Sequence, residues 1–429
     1  MRIVDGGAAF VSEKMAAPFG FKGKYVNDIW QVACYLEEEG GAQSYGVGVQ
    51  SVVWSDASVF EKLGACGGNS AMFLMTRHAV NLLRDMRFDT PAEALDQLLP
   101  RVLDYGRQIT GNPKLRMTFA LNALVSVDFA LWQMYVRLNG LGGFDDMLPA
   151  QMKEALCCRQ RKIAGIPLIT YGLTLEQVKR LYEDGAFFLK IKIGSDPDKD
   201  GDPEKMLAWD MERMTQLHGL LKDCSTPYTA NGKVAYYLDA NGRYDSKERL
   251  MRLVRHLEHI GALEQVALLE EPFPEGSGID VGDIPLRVAA DESAHSVEDA
   301  VELMELGYSA MALKPIAKTL SMSLAVAAEA KRRGVPCFCA DLTVNPLMVD
   351  WNKSVAARLE PLPGLKIGVF ESNGHQNYTD WERLSSYHPM AGAGWTRQSG
   401  GVFDLDDAFY ANSGGVFQDS RYYIELAHS

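Results

Sequence analysis

Charged residues end several short apolar runs in the second half of the sequence. Three successive runs end in acids, and the runs before and after them end in lysines. In chain order these ends are Lys190-Ile-Lys192, Asp239-Ala-Asn241, Glu270-Glu271-Pro272, Asp291-Glu292-Ser293 and Lys314-Pro315, followed by Asp341 and Glu371. Packing alone does not select this order, because a buried charge is costly unless it is paired. These residues are therefore candidates for chemistry.

The acids suit a hard metal ion. At the carboxyl ends of three neighbouring parallel strands, Asp239, Glu270 and Asp291 would converge on one point. Three uncompensated carboxylates there would repel one another. Oxygen ligands suit Mg²⁺, which keeps some coordination positions for water or substrate. The sequence therefore predicts Mg²⁺ as the cofactor.

The lysines suit proton transfer. Lys190 and Lys192 are two residues apart, so on a strand both side chains point to the same face. We expect the repulsion within this pair to lower one ammonium pKa and to make that lysine available as a neutral base. Lys314 approaches from a later strand.

A regular alternation of apolar runs and helical stretches positions these residues from about residue 163. The predicted strands are 167–171, 187–193, 235–240, 266–271, 286–291, 310–314, 336–341 and 366–371. Apolar strands that alternate with helices indicate a parallel sheet covered by helices, and eight of them indicate a (β/α)8-type barrel. A doubly wound sheet is the alternative, but no glycine-rich nucleotide motif follows a predicted strand.

Three segments outside this alternation carry separate expectations. The acidic segment 195–235 is too long for one unit and lacks the glutamate of a calcium loop, so we expect a peripheral insertion. Asp128 lies on the apolar stripe of a predicted helix and should accept structural hydrogen bonds. The aromatic tail after Glu371 should fold back onto the N-terminal region.

Composition narrows the partners and the compartment. The 429 residues include 43 Lys+Arg and 56 Asp+Glu, a net charge of −13, which argues against a nucleic-acid partner. The longest apolar runs are far below the roughly 20 residues of a membrane span, and Asp5, Glu13 and Lys14 interrupt any signal-peptide core. Seven scattered cysteines fit a reducing compartment. We expect a cytoplasmic protein that contacts neither membrane nor nucleic acid.

The ordered strand-end residues resemble the enolase superfamily, in which a Lys or His base acts with one or two Mg²⁺ ions. The resemblance implies that Asp239, Glu270 and Asp291 bind Mg²⁺ and that Lys192 is the base on one face. Lys314 is similar to the sixth-strand lysine of the muconate lactonizing enzyme-like subgroup, within the mandelate racemase/muconate lactonizing enzyme family. His295, four residues after Asp291, is expected at the surface or at a helix cap.

The resemblance also implies the domain organisation. We expect an α+β capping domain at 1–145, a modified (β/α)7β TIM barrel with the metal site at 160–372, and a tail at 373–429 that completes the cap. Two cap segments are candidates for closing the site and selecting the substrate: 18–25, with Phe19 and Phe21, and the glycine-containing 60–70. A homo-oligomer is expected.

The implied reaction begins with abstraction of the proton α to the carboxylate of a small substrate, and Mg²⁺ stabilises the enolate. Lysines on opposite faces can exchange the proton with inversion, so a racemase or epimerase with an amino-acid- or dipeptide-like substrate is the first hypothesis. The same half-reaction can instead end in acid-sugar-type dehydration or in muconate-type cycloisomerisation. A non-catalytic ligand-binding barrel is a remote alternative, because no lysine or metal acid is missing.

The eighth strand departs from the dipeptide epimerases of this subgroup. Those enzymes hold the substrate ammonium with Asp-x-Asp, whereas this chain has Glu371-Ser-Asn373. Glu371 and Asn373, with Asn241 and Asp341, are therefore the candidates for substrate binding. A zinc hydrolase barrel would need His-x-His on the first strand, where Ile169-Thr-Tyr171 stands.

Overall fold

The computed structural model describes the backbone of residues 1–21 and 24–429, and the side chains of residues 1–18 and 25–429. Phe19 and Phe21, which were expected to contact substrate, lie outside the described side chains.

The chain begins with an antiparallel sheet of order β1-β2-β3. Its strands are Ile3–Phe21 (β1), Lys24–Glu38 (β2) and Gln43–Gln50 (β3). The helices that follow are Val52–Ser55 (α1), Ala57–Leu83 (α2), Pro91–Thr110 (α3), Met117–Leu138 (α4), Phe144–Met147 (α5) and Ala150–Lys153 (α6). Helix α4 packs so closely on β3 that position 46 requires glycine. A Cβ added to Gly46 would lie 1.9 Å from the Ser126 carbonyl oxygen.

Helix α4 is the central element of the N-terminal region. It is long and apolar enough to cross a membrane, but 94% of its most apolar stretch is buried inside the protein, as in a core helix. One set of its side chains packs with α2 and α3, and another set, which includes Phe129 and Trp132, packs with the barrel.

Asp128 joins α4 to the barrel. Its carboxylate accepts hydrogen bonds from the backbone N–H groups of Leu320, at 2.8 Å, and Ser321, at 3.2 Å. These residues begin a barrel helix, so Asp128 satisfies donors that a helix N-terminus leaves unpaired. The prediction of a structural role for Asp128 is confirmed.

A curled sheet forms the barrel. Its strands are Lys162–Ile166 (β4), Leu168–Ile169 (β5), Phe188–Lys192 (β6), Ala235–Asp239 (β7), Val266–Glu270 (β8), Val288–Ala290 (β9), Ala310–Leu313 (β10), Cys337–Cys339 (β11), Gly368–Glu371 (β12) and Val402–Asp404 (β13). The order is β13-β4-β12-β11-β10-β9-β8-β7-β6-β5, and β13 alone is antiparallel to its neighbour. Strands β4 and β5 are separated only by Pro167, and they pair with β12 and β6. This one segment therefore closes the ring, and the predicted barrel class is confirmed.

Helices cover the outside of the barrel. They are Leu175–Glu183 (α7), Pro203–Leu221 (α8), Lys247–His259 (α9), Val297–Glu305 (α10), Leu320–Arg332 (α11) and Pro346–Ala356 (α12). The tail contains Gly374–Asn377 (α13), Trp381–Ser386 (α14), Asp407–Ala411 (α15) and Arg421–Ala427 (α16). Helix α16 packs against the N-terminal sheet, and the His428 ring lies 4.2 Å from that of Tyr35.

Several expected elements differ in the structure. The first barrel strand begins at Lys162 rather than at residue 167. The segment 195–235 contains α8, which covers the barrel, so only its first part is an added loop. The segment 60–70 belongs to α2, which is kinked at Gly64 with φ 69°, so it is helical rather than a loop.

Candidate active site

Strand alternation places the charged residues at one end of the barrel interior. Residues two apart share a face, so the inward row that begins with Phe188 continues with Lys190 and Lys192. On the next strand Tyr237 is followed in the same way by Asp239. Apolar side chains therefore fill the middle of the barrel, and charged side chains lie at the carboxyl ends of the strands.

These ends and the N-terminal region enclose one pocket, part of which is open to solvent. Every residue with a described side chain that was predicted to bind metal or substrate or to act as a base lines this pocket. From the barrel these are Lys190, Lys192, Asp239, Asn241, Glu270, Asp291, Lys314, Asp341, Glu371 and Asn373, and the N-terminal region adds Met15, Val26, Ile29, Ser51, Val53 and Trp54.

Three carboxylates of the pocket lie close enough to share one ion. One oxygen each of Glu270, Asp291 and Glu292 lies within 4.8 Å of the others, and all three residues are buried. The Asn241 side-chain amide donates to Glu292 Oε1 at 2.9 Å, whereas Glu292 Oε2 has no hydrogen-bond partner among the described residues. The metal ligands predicted from the sequence were Asp239, Glu270 and Asp291, and Glu292 appeared only as the neighbour of Asp291.

Asp239 joins this group through a lysine. The Lys190 ammonium contacts Asp239 at 3.0 Å, Glu270 at 3.2 Å and Glu371 at 3.0 Å. Lys192 donates to Asp239 Oδ2 at 2.5 Å and to Asn241 Oδ1 at 2.5 Å. The three predicted metal acids therefore share one pocket, with an ammonium group between two of them.

The expected lowering of a lysine pKa is wrong for Lys190. Burial lowers its pKa, but the surrounding carboxylates, Asp239 first, outweigh burial and hold the pKa well above its ordinary value. The pKa of Lys314 is also raised, because Asp291 opposes the effect of burial. The neighbouring carboxylates, rather than the other lysine, dominate the field at Lys190.

Lys318 is a buried residue of this site that sequence reasoning missed. Asp291 Oδ2 accepts from Lys314 at 2.5 Å, while Lys318 contacts Asp291 Oδ1 at 3.3 Å and donates to the Ala294 carbonyl at 3.0 Å. Lys314 lies over the Trp54 ring, with Nζ 4.6 Å from the centroid. Lys318 follows Lys314 by four residues, and this spacing was the available signal in the sequence. The prediction considered only the residues at strand ends, and Lys318 lies beyond the end of β10.

The residues present fit a divalent cation. Six acids and three lysines line the pocket, so negative charge is in excess. Burial and the nearby acids Asp291 and Glu292 raise the pKa of Glu270 to about 7 against the opposing effect of Lys190. Burial and Glu371 raise the pKa of Asp341 to about 7. A cation among oxygen ligands would relieve this excess and would satisfy the unpartnered Glu292 oxygen.

The candidate substrate-binding residues are held by one another. The backbone N–H of Asn373 donates to Asp341 Oδ2 at 2.7 Å, and the N–H of Asp341 donates to Glu371 Oε2 at 3.1 Å. The Thr343 hydroxyl donates to Asn373 Oδ1 at 2.7 Å. Thr343 and Asn241 have left-handed backbone, with φ 58° and 45°, which is unfavourable for such residues and is common at functional sites.

His295 is buried rather than at the surface. It immediately precedes Ser296, the N-cap of α10, and its backbone N–H donates to Asp299 Oδ2 at 3.1 Å, in agreement with the alternative prediction of a helix cap. Its Nε2 contacts Glu275, which also pairs with Arg116 from the N-terminal region. Arg116 donates as well to the Glu292 carbonyl at 3.2 Å. This chain of contacts fixes the N-terminal region against the loop that carries Glu292.

The chain is similar to known proteins, both to a family model over part of its sequence and to solved structures in its fold. Residues 174–363 match the family model described as enolase C-terminal domain-like. No curated protein sequence matches the chain significantly. A mandelate racemase/muconate lactonizing protein from Herpetosiphon aurantiacus is similar in structure, with a TM-score of 0.65, 17% identity, and coverage of 95% of this chain and 96% of the other.

Two epimerases have the same fold. The L-Ala-D/L-Glu epimerase from Bacillus subtilis aligns with a TM-score of 0.64 and 17% identity, over 95% of this chain and 97% of that one. A dipeptide epimerase from Enterococcus faecalis, complexed with Mg and the dipeptide L-Leu-L-Tyr, aligns with a TM-score of 0.62 and 14% identity, over 95% and 98%. At these identities the likeness concerns the fold.

Proposed function

We propose that the protein is a Mg²⁺-dependent racemase or epimerase, and the match of residues 174–363 to the enolase C-terminal domain-like family model supports this proposal. It would remove the proton α to the carboxylate of a small substrate and return a proton to the opposite face. The expected substrates are amino-acid-derived or dipeptide-like carboxylates.

The position of two lysines supports this proposal most directly. Lys192 ends β6 and Lys314 follows β10, and four steps around an eight-stranded ring separate these strands. Strands four apart in such a ring face each other across the barrel. Both side chains line the pocket, with the buried carboxylates between them. An α-carbon held there would have one amine on each face.

Each group then has a definite task. Asp239, Glu270, Asp291 and Glu292 would hold Mg²⁺, whose charge lowers the cost of the anion formed when the α-proton leaves. In one direction Lys192 would accept the proton at Nζ while Lys314 donates one, and in the other direction the roles reverse. A bound cation would offset the carboxylate charge that raises the pKa of Lys314.

The eighth strand supports a substrate with an amino or amide group. Glu371 offers a carboxylate to the pocket, and Asn373 offers an amide two residues later. The carboxylate could accept from a substrate ammonium, and the amide could bond to a peptide group. The similarity in fold to two epimerases supports the same class.

Isotope exchange in D₂O tests the proposed reaction. The purified protein is incubated with a library of amino acids, N-acyl amino acids, dipeptides and sugar acids, with Mg²⁺ or with EDTA, and products are read by mass spectrometry. We expect Mg²⁺-dependent gain of one deuterium with inversion of configuration. Exchange accompanied by loss of water indicates a dehydratase, and ring closure indicates a cycloisomerase. No exchange with any carboxylate would contradict the proposal.

A further inference from the structure

A second group of ligand-type side chains lies outside the set of residues that line the pocket. Cys157 and Cys158 occupy the segment between α6 and β4, and Glu360 follows α12. One ligand atom of each residue lies within 4.8 Å of the others. We propose that these three residues, here called the thiol cluster, bind a thiophilic divalent cation of the Zn²⁺ type.

Backbone hydrogen bonds hold the thiol cluster together. The N–H of Cys158 donates to the Arg358 carbonyl at 3.1 Å, and the N–H of Gln160 donates to the Ala357 carbonyl at 3.0 Å. The Gln160 side chain also donates to the Leu359 carbonyl at 3.1 Å. The two chain segments therefore run side by side. Backbone hydrogen bonds, and not only side-chain conformations, keep the thiols close to Glu360.

The ligand types and the spacing fit zinc. Zn²⁺ binds thiolate at about 2.3 Å and carboxylate oxygen at about 2.0–2.2 Å in a tetrahedral arrangement, which puts two thiolates roughly 3.8 Å apart. Sulfurs already within 4.8 Å need only a small rotation to reach that separation. Cys157 and Glu360 are exposed, so the ion has a direct path from solvent and the fourth position is open to water.

A neighbouring lysine balances the charge. Lys331, at the end of α11, donates to Glu360 Oε1 at 2.9 Å and interacts with both cysteines. Two thiolates and one carboxylate carry three negative charges, which a divalent cation and one ammonium group neutralise.

The thiol cluster is separate from the active-site pocket. Cys158 precedes β4 and Glu360 precedes β12, so both lie near the amino-terminal ends of barrel strands. The pocket residues lie at the carboxyl ends. In parallel barrels the amino-terminal end contributes to stability rather than to catalysis. The bound cation should join the linker after α6 to the segment before β12 and leave turnover unchanged.

Titration with Cd²⁺ and Zn²⁺ tests the thiol cluster. The reduced protein is titrated with Cd²⁺ in excess Mg²⁺, which competes for the carboxylate pocket, and thiolate-to-metal charge-transfer absorption reports binding. We expect saturation at one equivalent, competition by Zn²⁺, and an affinity at least about tenfold lower in Cys157→Ser, Cys158→Ser and Glu360→Gln. Cys66→Ser, which removes another exposed thiol, is the matched control and should bind as the wild type does.

Alkylation gives an independent readout on the unmodified chain. Zn²⁺ should slow iodoacetamide labelling of Cys157 and Cys158, mapped by mass spectrometry, while Cys66 reacts at an unchanged rate. Equal labelling of all three with and without Zn²⁺ would overturn the proposal. Charge-transfer absorption that persists in a Cys157→Ser/Cys158→Ser double variant would overturn it as well.

Discussion

The Asp291 carboxylate is paired with two buried lysines. Lys314 contacts one of its oxygens at 2.5 Å and Lys318 the other at 3.3 Å. Against the effect of burial, these lysines hold the pKa of Asp291 well below its ordinary value, so the carboxylate stays charged and ready for a metal ion. Its task depends on negative charge, which an amide of the same shape lacks.

Replacement of Asp291 by Asn should therefore weaken Mg²⁺ binding by at least about tenfold, because metal affinity is sensitive even to groups behind the ligands. Isothermal titration with Mg²⁺ measures the loss, and circular dichroism checks the fold. Asp299→Asn, at the N-terminal cap of α10, is the control and should retain wild-type affinity. Unchanged Mg²⁺ affinity in Asp291→Asn would remove this residue from the metal site.

The acids and lysines of the pocket could be predicted from the sequence, because charged residues end apolar runs in a fixed strand order. The ion pairs among these acids and lysines could not be predicted. Lys190 contacts Asp239, Glu270 and Glu371, and the last of these is 181 residues away from Lys190 in the chain. These contacts reverse the expected direction of the Lys190 pKa shift. Lys318 was missed because it lies beyond the end of β10, outside the predicted strand.

At the scale of elements, Asp128 connects α4 to the start of α11. The Asp128 carboxylate accepts from two backbone N–H groups and from the Ser321 hydroxyl. Burial raises its pKa to about 7 against these hydrogen bonds. Between about pH 4 and pH 7 the native protein keeps a proton that the unfolded chain has released, so this group makes stability fall as the pH rises.

Two substitutions at Asp128 separate hydrogen bonding from charge. Asp128→Asn can keep the bonds, with its amide nitrogen facing the Ser321 oxygen, and should gain stability relative to wild type by about 1 kcal/mol or more between pH 5 and pH 8. Asp128→Ala leaves buried donors unpaired and should lose at least about 2 kcal/mol relative to wild type at pH 5. The loss should be smaller at pH 8, because the wild type is itself less stable there. Chemical denaturation measures both, and a pH-independent difference between wild type and Asp128→Asn would refute the assigned pKa shift.

The prediction that 195–235 is an insertion holds only for the acidic loop before α8. Its surface charges, Asp198 and Asp200, pair with Lys205 at 2.7 and 2.6 Å and are exposed. The base of the loop is fixed instead by the buried Asp210, which accepts from the Gly194 N–H at 2.7 Å and from the Tyr244 hydroxyl at 2.7 Å. The helix after the loop covers the barrel, so deleting 195–235 would disrupt the fold rather than test a peripheral insertion.

Neutralising only the exposed acids is the appropriate test of that loop. Asp198→Asn/Asp200→Asn should leave the free energy of unfolding nearly unchanged, because exposed ion pairs contribute little to stability. The rate of α-proton exchange should stay at the wild-type level. Loss of exchange comparable to that of Lys192→Ala would place this loop in the active site.

At the scale of the whole molecule, the barrel class followed from the alternation of strands and helices, but its closure did not. Lys162 and Gly165 interrupt the apolar pattern of β4, so its start was not visible in the sequence. The contacts between the N-terminal region and the barrel were also hidden, because Arg116 reaches Glu275 and the Glu292 carbonyl across 159 and 176 residues. Such contacts depend on tertiary geometry, which local periodicity does not encode.

The two lysines on opposite sides of the barrel carry the central claim. Once a substrate is known, its two stereoisomers are incubated separately in D₂O with Lys192→Ala and with Lys314→Ala, and α-proton exchange is followed by NMR. We predict that each variant loses exchange from one stereoisomer by about 10²–10⁴-fold and retains it from the other, with opposite preference in the two variants. Equal loss from a single stereoisomer in both variants, or full activity in Lys314→Ala, would contradict a two-base mechanism.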